Sequence, residues 1–257
     1  MSQRTMISLL VAVLLLGLAM PVVADEAVDK AFDALKTYDW GADRNILKPI
    51  DDAIVKSHGD AAAQKKLAGG LADVLGTDAK RCAKDYCCRK LSLIGTADNV
   101  PAIAPLLTNE ELSHMARYAL ERMPCPEAVK AMRDALPKVK GLLKVGVINS
   151  LGVRRDTEST GAMIKLLGDS DKQIAGAAAA ALGSIGTPEA AKALGDFQGK
   201  APKELKLVAA DAYLACAEQL LADGKKADAK TIYTALSKSD IKQVKVAAMR
   251  GLLAASK

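Results

Sequence analysis

Four leucines, Leu91, Leu120, Leu151 and Leu182, stand 29, 31 and 31 residues apart, and each anchors the same apolar pattern. Four residues before the anchors stand Cys87, Ala116, Val147 and Ala178. Eleven after stand Ala102, Ala131, Ala162 and Ala193, twelve after stand Ile103, Met132, Met163 and Leu194, and sixteen after stand Leu107, Leu136, Leu167 and Phe197, except that Phe197 is fifteen from its anchor. Apolar residues four apart on either side of a break place one stripe on each of two helices. The break carries turn residues in three of the units, Gly95-Thr96-Ala97-Asp98, Pro124-Cys125-Pro126 and Gly186-Thr187-Pro188. Glycine suits a helix C-terminus, and Pro126 and Pro188 suit the first turn of the next helix. Each unit is therefore helix, turn, helix. Neither helix can bury its stripe alone, so the units must stack, with the alanines allowing close approach. Aromatics make up only 3% of the chain, so the core must come from small and aliphatic side chains, which suits packed helices.

The stretch Ala180-Ala181-Leu182-Gly183-Ser184-Ile185-Gly186-Thr187-Pro188-Glu189-Ala190 resembles HEAT-like repeat proteins, in particular the short variant related to phycobiliprotein-lyase repeats. Two further stretches, Leu112-Ser113-His114-Met115-Ala116-Arg117-Tyr118-Ala119-Leu120-Glu121 and Val147-Ile148-Asn149-Ser150-Leu151-Gly152-Val153, are similar to exported HEAT-repeat proteins of planctomycete-type bacteria. The resemblance covers residues 78–200. It implies an all-α fold, an α-solenoid of HEAT-like helical hairpins, with a binding role and no established activity.

The flanks depart from the repeat. Residues 25–77 read as an N-terminal helical cap of three amphipathic helices, near 26–37, 45–57 and 60–75. Residues 201–257 read as a helical hairpin and cap. Part of that hairpin, from Tyr213 to Leu236, is similar to a tetratricopeptide unit through Gly224, Ala229 and Tyr233. In the final helix Lys242-Gln243-Val244 repeats Lys172-Gln173-Ile174, and that helix is expected to close the stack.

Residues 1–24 have the form of a signal peptide: Arg4, then an apolar run from Leu9 to Met20, then Val22-Val23-Ala24. The run is shorter than the roughly 20 residues of a membrane span, so no stable membrane insertion is expected after cleavage. Export then places the protein in the periplasm or outside the cell. Cleavage removes one cation and no acid, leaving 35 basic against 30 acidic residues, a charge of +5. That surplus is mild, and export with no basic run interleaved with aromatics argues against nucleic acid.

Chemistry-bearing patterns are sparse. His58 and His114 are the only histidines, and neither has a metal-ligand spacing to acids or cysteines. Haem-attachment, phosphate-loop and nucleophile-elbow motifs are missing, so neither an enzyme nor a cofactor is expected. Gly69-Gly70 reads as a helix irregularity. Cys87 fills a repeat position held elsewhere by Ala116, Val147 and Ala178, and is a small core residue. Cys82 and Cys87 are five apart, about 140° around a helix, and point apart. All five thiols are expected free.

Arg154 interrupts the apolar column of Ile94, Met123 and Ile185. An arginine at such depth must find a partner, and Glu121 and Asp156 are the acids expected to pair with it. A sharper reading makes Arg154, Arg155, Asn149 and Arg117 an anion-reading patch. A second set, Lys130, Arg133, Lys165 and Lys192, recurs on the second helices (about 99–107, 126–136, 157–167 and 188–197) as a mildly basic ridge. HEAT-like arrays line their concave side with these helices. The function expected is therefore an exported interaction module or scaffold whose partner is a protein, acidic if the ridge reads it. An accessory subunit or lyase-like chaperone of a cofactor-bearing protein, or a structural envelope protein, stands as the alternative. The oligomeric state is left open. N-terminal sequencing of the exported protein should find Asp25, or a residue within two of it, at the terminus, and an intact Met1 would overturn the export reading.

Overall fold

A computed structural model describes residues 22–256, and the expected signal segment falls outside these apart from its last three residues. Among the described residues the regular structure is helical throughout. Three helices come first: α1 (Val22–Thr37), α2 (Lys48–Lys56) and α3 (Ala61–Leu75). Four hairpins follow. The first pairs α4 (Arg81–Ile94) with α5 (Val100–Ile103) and its flanking 3-10 turns. The next pair α6 (Ser113–Arg122) with α7 (Pro126–Ala135), α8 (Gly141–Val153) with α9 (Thr160–Leu166), and α10 (Lys172–Ile185) with α11 (Pro188–Lys200). A fifth hairpin, α12 (Lys206–Ala222) and α13 (Lys226–Leu236), continues the series, and α14 (Lys242–Ala255) ends it. The first helices α4, α6, α8, α10, α12 and α14 pack side by side in one layer, and the second helices form the other. This is an all-α solenoid.

The repeat columns lie where the spacing puts them. Leu91, Leu120, Leu151 and Leu182 are fully buried, as are Cys87, Ala116, Val147 and Ala178 and the column Ile103, Met132, Met163 and Leu194. The alanine column is different. Ala102, Ala131 and Ala193 are half-buried and Ala162 is exposed, so these alanines do not bring the units together. Glycines of the first-helix layer do. A Cβ on Gly152 would lie 2.9 Å from the Ala181 Cα, and one on Gly183 would lie 2.6 Å from the Ala212 carbonyl oxygen. Helices α8, α10 and α12 thus touch backbone to backbone, closer than any side chain would permit.

The second helix of the first hairpin is broken because Pro101 and Pro105 each remove a backbone donor, and 3-10 turns take over on both sides. Its start is fixed by a reciprocal Thr96–Asn99 capping box. Buried Asn99 also donates to the Ala68 carbonyl of α3 at 3.2 Å, tying the hairpin to the preceding helices. Residues 69 and 70 do not interrupt α3. Gly70 instead leaves room for the Phe32 ring of α1, whose nearest atom would be 2.9 Å from a Cβ there. At the far end α14 exposes Val246, Met249 and Leu253 along one side.

All five cysteines are free. Cys87, Cys88 and Cys216 are buried, and burial pushes the Cys88 and Cys216 thiols up to about 12, so they are protonated and unreactive at neutral pH.

Two glycine substitutions separate packing from propensity. Gly183→Ala should lower stability by about 1–3 kcal/mol, because α10 and α12 must move apart. Gly161→Ala in α9, where a Cβ meets nothing within 4 Å, should raise it by about 0.5–1 kcal/mol through helix propensity. Urea unfolding of the two variants reads both. Equal effects would show that backbone contact between first helices does not limit the stack.

Candidate functional site

The arginines expected at a surface patch turn out to stitch the second unit to the third. Arg154, half-buried at the end of α8, donates from Nη1 to the Met123 carbonyl at 2.7 Å and to the Glu121 carbonyl at 3.1 Å. Its partners are thus the orphan carbonyls at the C-terminus of α6, not the Glu121 and Asp156 carboxylates. A guanidinium suits that position because the last carbonyls of a helix lack intrahelical donors and carry partial negative charge. The Glu121 carboxylate instead accepts from the Ser150 hydroxyl at 2.6 Å. Arg117 lies between α6 and α8, where it donates to the Ser150 hydroxyl and the Gly146 carbonyl, each at 3.3 Å. Gly146 makes this possible, since a Cβ there would stand 2.6 Å from the guanidinium carbon. Burial pulls the Arg117 pKa down, and nearby Glu121 opposes that. Asn149 is exposed and joins none of these bonds.

Arg133 is also committed. Its Nη1 lies 2.5 Å from the Asp156 carboxylate and its Nη2 3.1 Å from that of Glu158, a pair between α7 and the turn that starts the next second helix. Ser159 donates its hydroxyl to the same Asp156 carboxylate. Lys130 pairs with Asp134 one turn along at 2.6 Å. Of the expected ridge, Lys165 and Lys192 are exposed and have no ion pair among the described residues. Arg155 takes a left-handed backbone, φ 50°, at the C-terminus of α8, and its Nη2 reaches Asp223 beyond α12 at 2.8 Å.

Two of the concave surfaces among the described residues combine apolar and charged linings. The first is a groove of about 680 Å³ between α9 and α11 on the second-helix layer. Its floor is apolar, with Ile164, Leu167, Ala193, Phe197 and Leu205; Leu205 belongs to a small cluster apart from the main core, and Phe197 packs against both. The rim is balanced: Lys172, Lys192 and Lys200 face Asp169, Glu189 and Asp196. The second is a cleft of about 650 Å³ where the loop after α1 meets α4 and α6. Here Asp51 holds a compact network, accepting from Lys90 at 2.7 Å, from the Tyr86 hydroxyl at 2.8 Å and from Arg44 at 3.3 Å. Burial alone would raise the Asp51 pKa, but those donors more than offset it and hold the carboxyl below its ordinary 3.8. The periodicity gave no sign of this cleft, whose residues come from the loop and from helix positions outside the repeat columns. Its only signal was compositional, three aromatics in a chain with so few.

Residues 140–213, from α8 into α12, match the family model for HEAT repeats. That stretch of the chain is similar to HEAT repeats. The solved structures that the chain is similar to include an engineered protein, at 21% identity over 90% of this chain and 68% of that one, with a TM-score of 0.42. Another is human deoxyhypusine hydroxylase in complex with glycerol, at 14% identity over 90% of this chain and 96% of that one, with a TM-score of 0.39. No curated protein matches the sequence. Among the described residues, no three His, Cys, Asp or Glu side chains gather as metal ligands, and no helix is long and apolar enough to cross a membrane.

Asp51 gives the site a pH signature. Its folded-state pKa is depressed, so its stabilisation is present above pH 3.8 and is lost as pH falls through the folded value. Asp51→Asn should cost about 2 kcal/mol at pH 7, since Lys90 and Tyr86 lose a charged acceptor. In urea unfolding the difference from wild type should shrink at pH 3. A gap that stays constant with pH would show that the carboxylate charge is not what binds the network.

Proposed function

We propose that this HEAT-like protein is an exported, non-enzymatic interaction module that holds a protein partner on its second-helix layer, the concave side. The groove between α9 and α11 carries the reading. It is open, floored by half-buried apolar side chains and rimmed by charges of both signs, the make-up of an interface core inside a polar rim. Solenoids build such surfaces because each unit repeats the same face beside its neighbour. Export rests on the form of residues 1–24 alone.

The balanced rim refines what the partner brings. Three lysines against three acids give little preference for a purely acidic surface, so the groove favours an apolar element flanked by mixed charge, such as one face of an amphipathic helix. Lys192 lies on this rim, and exposed Lys165 lies on α9 beside it. Arg133, Arg117 and Arg154 contribute through the rigidity of the units behind.

Ala193→Arg tests the site, because it fills the groove from the middle of α11 while keeping a good helix former. Immobilised wild-type protein should retain a partner from periplasmic extract that the variant does not, with equal helicity in both. Lys192→Glu should weaken retention to a smaller extent, with less effect at high salt. Identical retention by wild type and Ala193→Arg would remove the groove as the docking surface.

A further inference from the structure

The cleft between the N-terminal helices and the first hairpin is built differently from the groove. Its aromatic residues are not available equally. Tyr86 is buried, with the Arg44 guanidinium 5.1 Å and the Lys90 ammonium 5.3 Å from its ring centre. Tyr118 of α6, outside the lining, carries Arg122 at 3.7 Å and the lining residue Arg89 at 5.5 Å. These two rings therefore hold three cations of the lining, Arg44, Lys90 and Arg89, in place, which lowers the entropy lost when those cations engage a ligand. Trp40 is the reverse case. It is the only tryptophan in the chain, stands on the loop after α1, and is 92% exposed.

The charge of the lining itself is weighted towards cations. Arg44, Arg81, Arg89 and Lys90 line the cleft, against Asp85 in the lining and Asp51 behind it. Arg89 is paired with Asp85 and Arg44 and Lys90 with Asp51, but Arg81 is exposed and has no ion pair among the described residues. The lining thus offers donors and apolar surface, and its one carboxylate is already engaged. A hydroxyl-rich sugar needs acceptors as well as donors, and few are free. A polynucleotide needs a basic track that continues beyond one cleft, whereas exposed Asp39 and Asp43 stand on either side of Trp40. What fits is a ligand with an acceptor-only anionic group a few ångströms from an apolar one.

We propose that this cleft is a second binding site, separate from the groove, which takes an acidic peptide segment of a protein partner. A carboxylate engages Arg81 and the stacked Arg89, and a neighbouring apolar side chain packs under Trp40. Trp, Tyr and Arg are the residues on which protein interfaces concentrate their binding energy, and this cleft gathers all three in a chain otherwise poor in aromatics.

The single tryptophan makes the site its own reporter. Titration of the full chain with a short synthetic glutamate peptide carrying one central phenylalanine should shift Trp40 emission to the blue and saturate, with affinity falling as salt rises. A peptide with glutamine at every glutamate position should bind roughly tenfold more weakly or worse. Arg81→Glu should weaken the acidic peptide by a similar factor, and Arg81→Gln by less. Arg81 is exposed and bears no ion pair, so both variants should keep the wild-type circular dichroism. Calorimetry on Trp40→Ala, which lacks the fluorophore, should show the same loss of affinity. The proposal is overturned if the acidic peptide gives no saturable shift, if the glutamine peptide binds equally well, or if Arg81→Glu binds as wild type does. Tighter binding of single-stranded oligothymidylate or polygalacturonate than of the peptide would overturn it too, and would assign the cleft to that polymer.

Discussion

The contact between neighbouring first helices governs this molecule. Neither helix of a hairpin has enough apolar surface to hold its own shape, so stability resides at the junction between units. At α8, α10 and α12 that junction is nearly side-chain-free, with Gly152 against Ala181 and Gly183 against Ala212. Short side chains bring backbones together and make many small dispersion contacts, at the cost of leaving no slack. The second-helix layer has no such requirement. Its helices stand further apart, one of them is broken by two prolines, and the groove between α9 and α11 opens as a result.

A dry junction between units two and three would have been simpler than the polar seam found there. Arg117 and Arg154 occupy positions where the other units place apolar groups, and with Ser150 and Glu121 they make bonds that cross from one unit to the next. A buried guanidinium is costly unless its donors are met, and Arg117 Nε lacks a partner. The seam therefore contributes register rather than net stability. Arg154 can meet the carbonyls ending α6 only if α8 sits at one height along it, whereas a stack of leucines and alanines would tolerate sliding.

How far the sequence carried the reading follows from what a period encodes. Leu91, Leu120, Leu151 and Leu182 were legible as core because recurrence at fixed spacing reports burial. The same recurrence made Ala102, Ala131, Ala162 and Ala193 look like contact residues, though they face the groove side or solvent. Period alone cannot distinguish the small residue that permits close approach from the small residue with nothing opposite it. Arg154 was legible as an anomaly, but its partner was not, since every residue has a carbonyl and sequence gives no sign of which ones are left without a donor. Arg133 looked like a ridge cation for a related reason: its acids, Asp156 and Glu158, lie 23 and 25 positions away, beyond any helix-face rule. The aromatic cleft was hidden most deeply. It assembles positions from Tyr38 to Met115 that share no column, because the loop carrying Trp40 is placed by α1 and α2 rather than by the repeat.

Nearest-neighbour packing has one notable exception, and it bears on how the two surfaces relate. Arg155 bridges to Asp223, 68 positions away, spanning the fourth unit entirely. To do so it sits at the C-terminus of α8 in a left-handed conformation, where its N–H bonds to the Gly152 carbonyl and that of Asp156 to the Leu151 carbonyl. At the equivalent end of α12 the same pattern of bonds is closed by Gly224, which meets no Cβ penalty. An arginine there costs roughly 1–2 kcal/mol more, while an exposed ion pair with Asp223 returns little by itself. The pairing links the third unit directly to the fifth. Among the described residues no comparable bond runs from these units to the N-terminal cleft, which is braced instead by Asp51, Tyr86 and Lys90. The two surfaces are held by separate polar networks on opposite layers of one apolar stack, so a ligand on either meets a site already shaped without the other.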